Sequence, residues 1–161
     1  MSSDRISRRA AVLATLALGA CGFTPALAPG GNMSNLRGSV AVVTPDTIPG
    51  FAIRDRLIAR LGAAASPTAT LTIALDQALD VAALSQAGDA LRYNVVGAAG
   101  WRLVAMDGAL LGSGQVDGFT SYAATGSTVA TQGAATDAIG RLMVILADKI
   151  VAQLTMLDPQ R

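Results

Sequence analysis

Residues 91–107, which read LRYNVVGAAGWRLVAMD, are the stretch that decides the fold. Apolar and more polar residues alternate along this stretch, as in a β-strand that buries one face and exposes the other. The polar residues Arg92, Asn94 and Arg102 occupy even-numbered positions, which lie on the opposite side of a strand from Trp101. The stretch therefore predicts a long strand with one buried face. The positions of that face are Tyr93, Val95, Ala99, Trp101, Leu103 and Ala105.

The segments on either side predict two more strands, joined to the first by hairpins. Asp107-Gly108 is a hairpin signal between two apolar runs, and residues 109–124 then return as a strand. Several glycines in the returning strand predict bends or bulges. Upstream, residues 69–76 (ATLTIALD) also alternate and continue through residues 77–84, before a turn at Gly88.

A short strand and a helix precede these hairpins. Residues 40–43 (VAVV) are rich in β-branched side chains and predict the strand. Residues 46–62 predict a helix that Thr47 caps and Gly62 ends. The apolar stripe of this helix has i, i+4, i+8 spacing and consists of Ile53, Leu57 and Leu61.

The longest segment with helical periodicity runs from about Thr128 to Leu154. Gly133 and Gly140 weaken its beginning, so we expect the core of this helix over residues 135–155. Asp137 and Arg141 have the i, i+4 spacing of an ion pair. The apolar stripe consists of Ile139, Leu142, Met143, Leu146, Ile150 and Leu154.

The element order is therefore strand, helix, three strands and helix, with no internal repeat and no second domain. One sheet with its helices segregated to one side is an α+β architecture. We expect an α+β fold in which an antiparallel or mixed four-stranded sheet carries two helices packed on one face. This domain is expected over residues 36–157.

The N-terminus has the pattern of a bacterial export signal. Three arginines among the first nine residues precede an apolar run of eleven residues, Ala10–Ala20, which is too short to span a membrane. Two export routes stay open, because Arg8-Arg9 fits either twin-arginine export or a plain basic region.

The only cysteine of the chain, Cys21, ends this apolar run in the sequence Leu18-Gly19-Ala20-Cys21, which resembles the lipobox of bacterial lipoproteins. We therefore expect residues 1–20 to be a lipoprotein signal peptide and Cys21 to be the site of lipid attachment. Residues 21–35 would then be a lipidated tether to the membrane. An ordinary cleaved signal with a chance cysteine, or a buried thiol, is the alternative.

Composition argues against several classes of function. The chain has no His, no Glu and one Cys, so zinc sites, c-type haem attachment and catalytic triads that need His are not expected. Beyond residue 20, nine basic and ten acidic residues remain. A nearly neutral chain is not expected to bind nucleic acid. We therefore expect no metal and no cofactor.

Two sets of charged residues were considered for chemistry. The helix over residues 46–62 carries Arg54, Arg56 and Arg60, which form either an anion-binding surface or a solvated face. Paired carboxylates of an exported hydrolase would be Asp76 with Asp80, or Asp107 with Asp117. Asp residues in hairpin turns are more typically turn formers, so we expect no enzyme.

Two stretches resemble the LptE family of lipopolysaccharide-assembly lipoproteins. Residues 20–31 (ACGFTPALAPGG) are similar to the family's mature start, in which Cys-Gly-Phe-x-Pro follows the lipobox. Residues 121–154 resemble its last strand, loop and Ala-rich helix, and the element order also matches. One departure is Leu27-Ala28, near where the family often has Tyr-Gly.

The resemblance implies a non-enzymatic lipoprotein on the periplasmic face of the outer membrane of a Gram-negative bacterium. Such a protein assembles with and plugs an LptD-type β-barrel, and it takes part in transport of lipopolysaccharide to the cell surface. Exposed arginines would meet the lipopolysaccharide phosphates, and Arg92 and Arg102 are the candidates. Alternatively, both are solvated charges of the sheet.

A different envelope function stays open at this point. An auxiliary lipoprotein of an ABC-type lipid transporter would also be a small α+β lipoprotein. The sequence discriminates poorly between this function and lipopolysaccharide assembly.

Overall fold

The computed structural model describes residues 36–124 and 127–157. The expected signal peptide, Cys21 and the tether lie outside the described residues. Six elements follow one another along the chain. They are β1 (Val40–Val43), α1 (Ile48–Leu61), β2 (Ala69–Leu84), β3 (Ala90–Ala105), β4 (Leu110–Ala123) and α2 (Thr128–Thr155).

The four strands form one mixed sheet in the order β1-β2-β3-β4. β1 pairs with β2 in parallel, since α1 carries the chain back between them, and the two hairpins β2–β3 and β3–β4 are antiparallel. Trp101 lies between Ile73 and Gly114 in the register. These features confirm the expected α+β fold with two helices and a four-stranded mixed sheet.

The core lies between the helices and the face of the sheet that carries Trp101. Trp101, Leu103, Val95 and Ala99 of β3 are all buried, as the alternation in residues 91–107 predicts. The α1 stripe is fully buried, and so is most of the expected α2 stripe. Ile139 of that stripe is only partly buried. The opposite face of the sheet has no helix on it within the described residues, and we call it the open face.

Both expected boundaries of α1 are confirmed. The Thr47 side chain accepts a hydrogen bond from the backbone N–H of Gly50 at 3.2 Å, which satisfies one of the unpaired donors of the first turn. Gly62 ends the helix with φ of 83°, a conformation that favours glycine. Its N–H donates to the carbonyl of Ile58 at 2.7 Å.

The C-terminal helix begins earlier than the expected residue 135. α2 starts at Thr128, where the Ser127 side chain accepts a hydrogen bond from the N–H of Ala130. Gly133 has no neighbour within 4 Å of the position a Cβ would occupy, so it lies on an open face of the helix. A good N-terminal cap offsets the roughly 1 kcal/mol that an exposed glycine costs a helix.

The glycines of β4 serve close packing, and the strand has only one irregularity, opposite Leu103 and Val104. A Cβ on Gly114 would lie 2.9 Å from two atoms of the Trp101 ring. One on Gly112 would lie 2.8 Å from Leu157, and one on Gly118 would lie 3.3 Å from Ile145 of α2. The glycines therefore let α2 and the indole lie directly on the backbone of β4.

The sheet has two distinct ends. At the end that we call basal, the described chain begins at Leu36, and β2 starts beside the β3–β4 turn, where the N–H of Met106 donates to the carbonyl of Thr68 at 3.0 Å. The other end is formed by the turn between β2 and β3. β1 pairs only with Ala69–Thr72, so Ile73–Leu84 have no strand partner on that side among the described residues.

Candidate functional site

The two arginines expected to meet lipopolysaccharide lie on the same face but far apart. Arg92 and Arg102 both project from β3 onto the open face, opposite the buried parity of Trp101. Ten residues separate them along one strand, which corresponds to about 33 Å. They therefore belong to opposite ends of the molecule and do not form one patch.

A second arginine, which the sequence did not indicate as a partner, joins Arg92. The Arg92 guanidinium donates to the Ser121 hydroxyl at 3.2 Å. Arg141 of α2 donates to the Ser121 carbonyl oxygen at 3.3 Å and pairs with Asp137 as expected from their i, i+4 spacing. Ser121 thus brings together a guanidinium from the open face and one from the helix layer. We call Arg92, Ser121 and Arg141 the arginine pair site.

The arginine pair site is the end of a longer row of donors along the outer edge of β4. Lys149 Nζ donates to the Asp117 carbonyl oxygen at 2.6 Å, and Gln153 Nε2 donates to the Gln115 carbonyl oxygen at 3.1 Å. Positions 141, 145, 149 and 153 lie on one stripe of α2, because residues four apart share a helix face. Side chains of α2 therefore donate hydrogen bonds to backbone carbonyl groups of β4 that could otherwise pair with a strand of another protein.

The arginines of α1 are engaged in contacts within the domain. Arg56 makes a two-pronged contact with Asp148 of α2, at 3.1 Å and 2.7 Å, and Arg60 lies 3.5 Å from the same carboxylate. The hydrogen bond from Arg56 lowers the pKa of Asp148 from its ordinary value. Arg54 stacks over the Phe51 ring at 4.9 Å from the ring centre. The contacts of Arg56 and Arg60 join α1 to α2, and the contact of Arg54 lies within α1, so the three arginines are engaged in the domain and do not form one open anion site.

The carboxylate pairs considered for hydrolysis are not brought together. Asp76 and Asp80 are four residues apart on one strand, which corresponds to about 13 Å. Asp107 is a turn former, because its side chain accepts a hydrogen bond from the N–H of Ala109 at 3.0 Å. Asp76 instead shares a row with Asp117, on either side of Ala98.

A shallow pocket of about 330 Å³ lies at this row of the open face. No basic side chain is among its lining residues, so it offers no positive group to stabilise developing negative charge. Its residues are Asp76, Gln77, Ala78, Val96, Gly97, Ala98, Asp117, Gly118 and Phe119.

An apolar cleft lies on the helix side of the sheet, next to the unpaired part of β2. α1 covers only the basal half of the sheet, so Leu79 and Val81 remain exposed beside α2. A pocket of about 200 Å³ lies between Leu79, Val95 and Ile139. Tyr93 and Tyr122 stack at its margin with their rings 5.3 Å apart. The sequence indicated a buried face here but not that half of it lacks a second helix.

Two further kinds of site are absent from the described residues. In residues 36–124 and 127–157, no three His, Cys, Asp or Glu side chains gather as metal ligands do. No helix within the same ranges has the length and apolar character needed to cross a membrane.

Solved structures with the same fold come from bacterial lipoproteins. A lipoprotein of Caulobacter crescentus CB15 is 22% identical, with a TM-score of 0.65, over 78% of this chain and 94% of that chain. Rare lipoprotein B of Shewanella oneidensis is 12% identical, with a TM-score of 0.55, over 72% of this chain and 92% of that chain. Lipoprotein B of Nitrosomonas europaea is 16% identical, with a TM-score of 0.55, over 74% of this chain and 83% of that chain.

Comparison with curated protein sequences gives no match. The family model of LptE, described as lipopolysaccharide-assembly, matches residues 39–154, which is more than half of the chain and nearly all of the described domain. The fold of the structural neighbours agrees with this match. The chain therefore belongs to the LptE family of lipopolysaccharide-assembly lipoproteins.

Proposed function

We propose that this protein is a lipoprotein of the outer membrane, held on its periplasmic face by lipid on Cys21. In this proposal it assembles with an LptD-type β-barrel, plugs the barrel lumen and takes part in transport of lipopolysaccharide to the cell surface. It acts by binding and not as an enzyme. The observation that carries the proposal is the family match over residues 39–154.

The surface of the domain is suited to a plug. A plug lies beside barrel strands, so an open strand edge on it would invite pairing with the wrong strand. The α2 side chains that bond the outer carbonyls of β4 reduce that risk. The open face mixes small, polar and charged residues, as in the row Asp76, Ala98 and Asp117, which is compatible with a polar lumen.

The arginine pair site is the place where we propose that lipopolysaccharide phosphate binds. Guanidinium groups bind phosphate through charge-assisted hydrogen bonds with matched geometry. Arg92 is exposed, and Arg141 lies on the other side of Ser121. Arg102 is a second candidate contact, at the other end of the same strand.

The barrel partner is tested by crosslinking in living cells. A photoreactive amino acid is placed at Phe119 on the open face or at Val144 on the outer face of α2, both of which are exposed. We expect at least one position to give an adduct with the LptD-type barrel. The absence of any barrel adduct from a scan of both faces would overturn the proposal.

Depletion of the protein separates the two envelope functions. Loss of lipopolysaccharide from the cell surface supports lipopolysaccharide assembly. Altered phospholipid asymmetry with normal surface lipopolysaccharide instead supports the auxiliary lipoprotein of an ABC-type lipid transporter.

The phosphate contact is tested with purified protein and lipopolysaccharide. Arg92→Gln removes one guanidinium from the arginine pair site, and we expect affinity to fall about tenfold, the equivalent of about 1.4 kcal/mol. Arg102→Gln, about 33 Å away, is measured separately and shows whether a second contact exists. Unchanged affinity of Arg92→Gln would contradict the site.

A further inference from the structure

The basal end of the molecule carries large apolar side chains that are exposed and lie outside the buried core. We call Met106, Leu110, Leu111 and Met156 the basal rim. All four are exposed, and Met106 and Met156 are 65% and 78% exposed. Several exposed apolar side chains at the end where the chain enters the domain make this end a candidate contact surface.

Three separate chain segments converge to form this rim. Met106 belongs to the β3–β4 turn and is held beside the start of β2 by its hydrogen bond to Thr68. Leu110 begins β4 and pairs with Val104. Met156 follows α2, and the next residue, Leu157, packs over Gly112 of β4. The tertiary fold thus assembles the rim, because its residues come from separate segments and do not form one continuous stretch of sequence.

Basic side chains flank the rim. Arg102 lies on the open face two residues before Val104, about 7 Å from it along the strand, and Arg37 follows Leu36 at the same end. Among the described residues of this end, Asp107 is acidic, and its side chain accepts a hydrogen bond from the N–H of Ala109 within the turn. Apolar side chains bordered by guanidinium groups suit the boundary between acyl chains and phosphate headgroups of a phospholipid bilayer.

The chain enters the described domain at this same end. The described domain begins at Leu36, at the basal end, and fourteen residues separate it from Cys21. A fully extended segment of that length spans at most about 50 Å. The lipid anchor of the proposed function would therefore be attached to the domain at its basal end.

We propose that, before the protein joins a barrel, the basal rim lies in the surface of a phospholipid bilayer. Met106, Leu110, Leu111 and Met156 would contact acyl chains, and Arg37 and Arg102 would meet lipid phosphates. The inference rests on the proposed anchor at Cys21. It adds that the domain itself has a fixed orientation on the membrane instead of hanging from its tether.

The test uses the full lipidated chain, reconstituted into vesicles of phosphatidylethanolamine and phosphatidylglycerol. Met106→Cys introduces a thiol for an environment-sensitive fluorophore, while acylation blocks the thiol of Cys21. Val129→Cys at the start of α2 is the matched control, because Val129 is also a highly exposed apolar residue, at 81%, but lies near the opposite end. Quenching is measured with nitroxide lipids in the bilayer and with aqueous iodide.

We expect nitroxide lipids to quench the Met106→Cys probe several-fold more than the Val129→Cys probe, with the reverse order for iodide. Equal exposure of both probes to iodide would overturn the proposal. So would protection of the Met106→Cys probe without quenching by lipid, because that result indicates a second protein copy on the rim. The intact mass of each sample reports acylation of Cys21 separately, so a missing anchor is distinguished from an unoriented domain.

Discussion

At the scale of single residues, one constellation joins the sheet to α2. The indole N–H of Trp101 donates to Gln153 Oε1, and the amide of Gln153 donates in turn to the carbonyl of Gln115. The Trp101 ring lies on Gly114, where no side chain intervenes. A buried indole N–H needs a partner, and Gln153 supplies it while also occupying the edge of β4.

Gly114→Ala is expected to destabilise the domain. The added methyl group would lie 2.8 Å from Gln153 Oε1 and 2.9 Å from the Trp101 ring. The rigid ring has to shift, so the free energy of unfolding should fall by about 1–3 kcal/mol. Urea unfolding followed by Trp101 fluorescence measures the change. Gly100→Ala is the control, because nothing lies within 4 Å of its Cβ position, and a loss of stability there equal to that of Gly114→Ala would contradict the packing argument.

The pair between Arg56 and Asp148 gives a prediction about pH. The hydrogen bond from Arg56 lowers the pKa of Asp148 in the folded protein. The ionised carboxylate therefore contributes fully to stability above its unfolded pKa, about 3.9. This contribution is lost as the pH falls through the lowered pKa of the folded state. Asp148→Asn should therefore reduce the free energy of unfolding at pH 7. The loss should be less than about 1 kcal/mol, because the side chains of Arg56 and Asp148 are both more than a third exposed.

The same comparison at acidic pH checks the sign. The difference between the wild-type protein and Asp148→Asn should shrink below about pH 4 in urea unfolding curves. Asp137→Asn is the matched control, since Asp137 pairs only within one helix and should matter by a few tenths of a kcal/mol. A difference that grows as the pH falls would exclude this role for Asp148.

At the scale of elements, α2 does more than cover the core. Its buried stripe packs on β3 and β4, while a neighbouring stripe places Arg141, Lys149 and Gln153 over the outer edge of β4. The two long edges of the sheet differ as a result. The β4 edge is bonded by helix side chains, whereas the edge of β2 beyond Thr72 has no strand beside it among the described residues.

Lys149→Met tests the role of α2 at this edge. The substitution keeps an apolar stem but removes the donor that lies 2.6 Å from the Asp117 carbonyl. We expect a loss of about 0.5–1 kcal/mol in the free energy of unfolding and faster growth of light scattering during refolding, because part of the edge becomes open. Lys149→Arg retains a donor and should behave like the wild-type protein. Identical scattering from both variants would show that Lys149 does not protect the edge.

At the scale of the whole molecule, the described domain has two distinct ends. Among the described residues, every residue of the buried core lies between Val40 and Leu154. The arginine pair site and the basal rim lie at opposite ends of the sheet. One domain can therefore present one end to a bilayer and the other to a different ligand.

Replacing Cys21 with Ser, behind a signal peptide that is cleaved without lipidation, should release the protein from membranes. The acyl chains are the proposed anchor, and each buried CH₂ contributes about 0.8 kcal/mol, far more in sum than four exposed side chains of the basal rim can supply. Fractionation of cells measures the release, and the urea unfolding curve of the released domain should match that of the lipidated protein. Retention of the Cys21→Ser protein in the membrane fraction would contradict the anchor.

The sequence by itself determined the elements and the fold class. Alternation in residues 91–107 and helical spacing in α1 and α2 are local properties, and periods of 2 and 3.6 residues directly specify which face is buried. Local signals also placed both ends of α1, at Thr47 and Gly62. Helical periodicity already begins near Thr128 in the sequence, but Gly133 and Gly140 weaken that beginning, so the expected core of α2 starts only at residue 135.

Only the tertiary structure decided which distant residues meet. Arg92 and Arg141 share Ser121, and the four side chains of the basal rim come from three segments. The separation of Arg92 from Arg102 required the strand to run unbroken between them. Such contacts depend on the register between strands and on how closely α2 packs on the glycines of β4. Neither quantity is contained in any local pattern, because each is set by the balance of packing over the whole core.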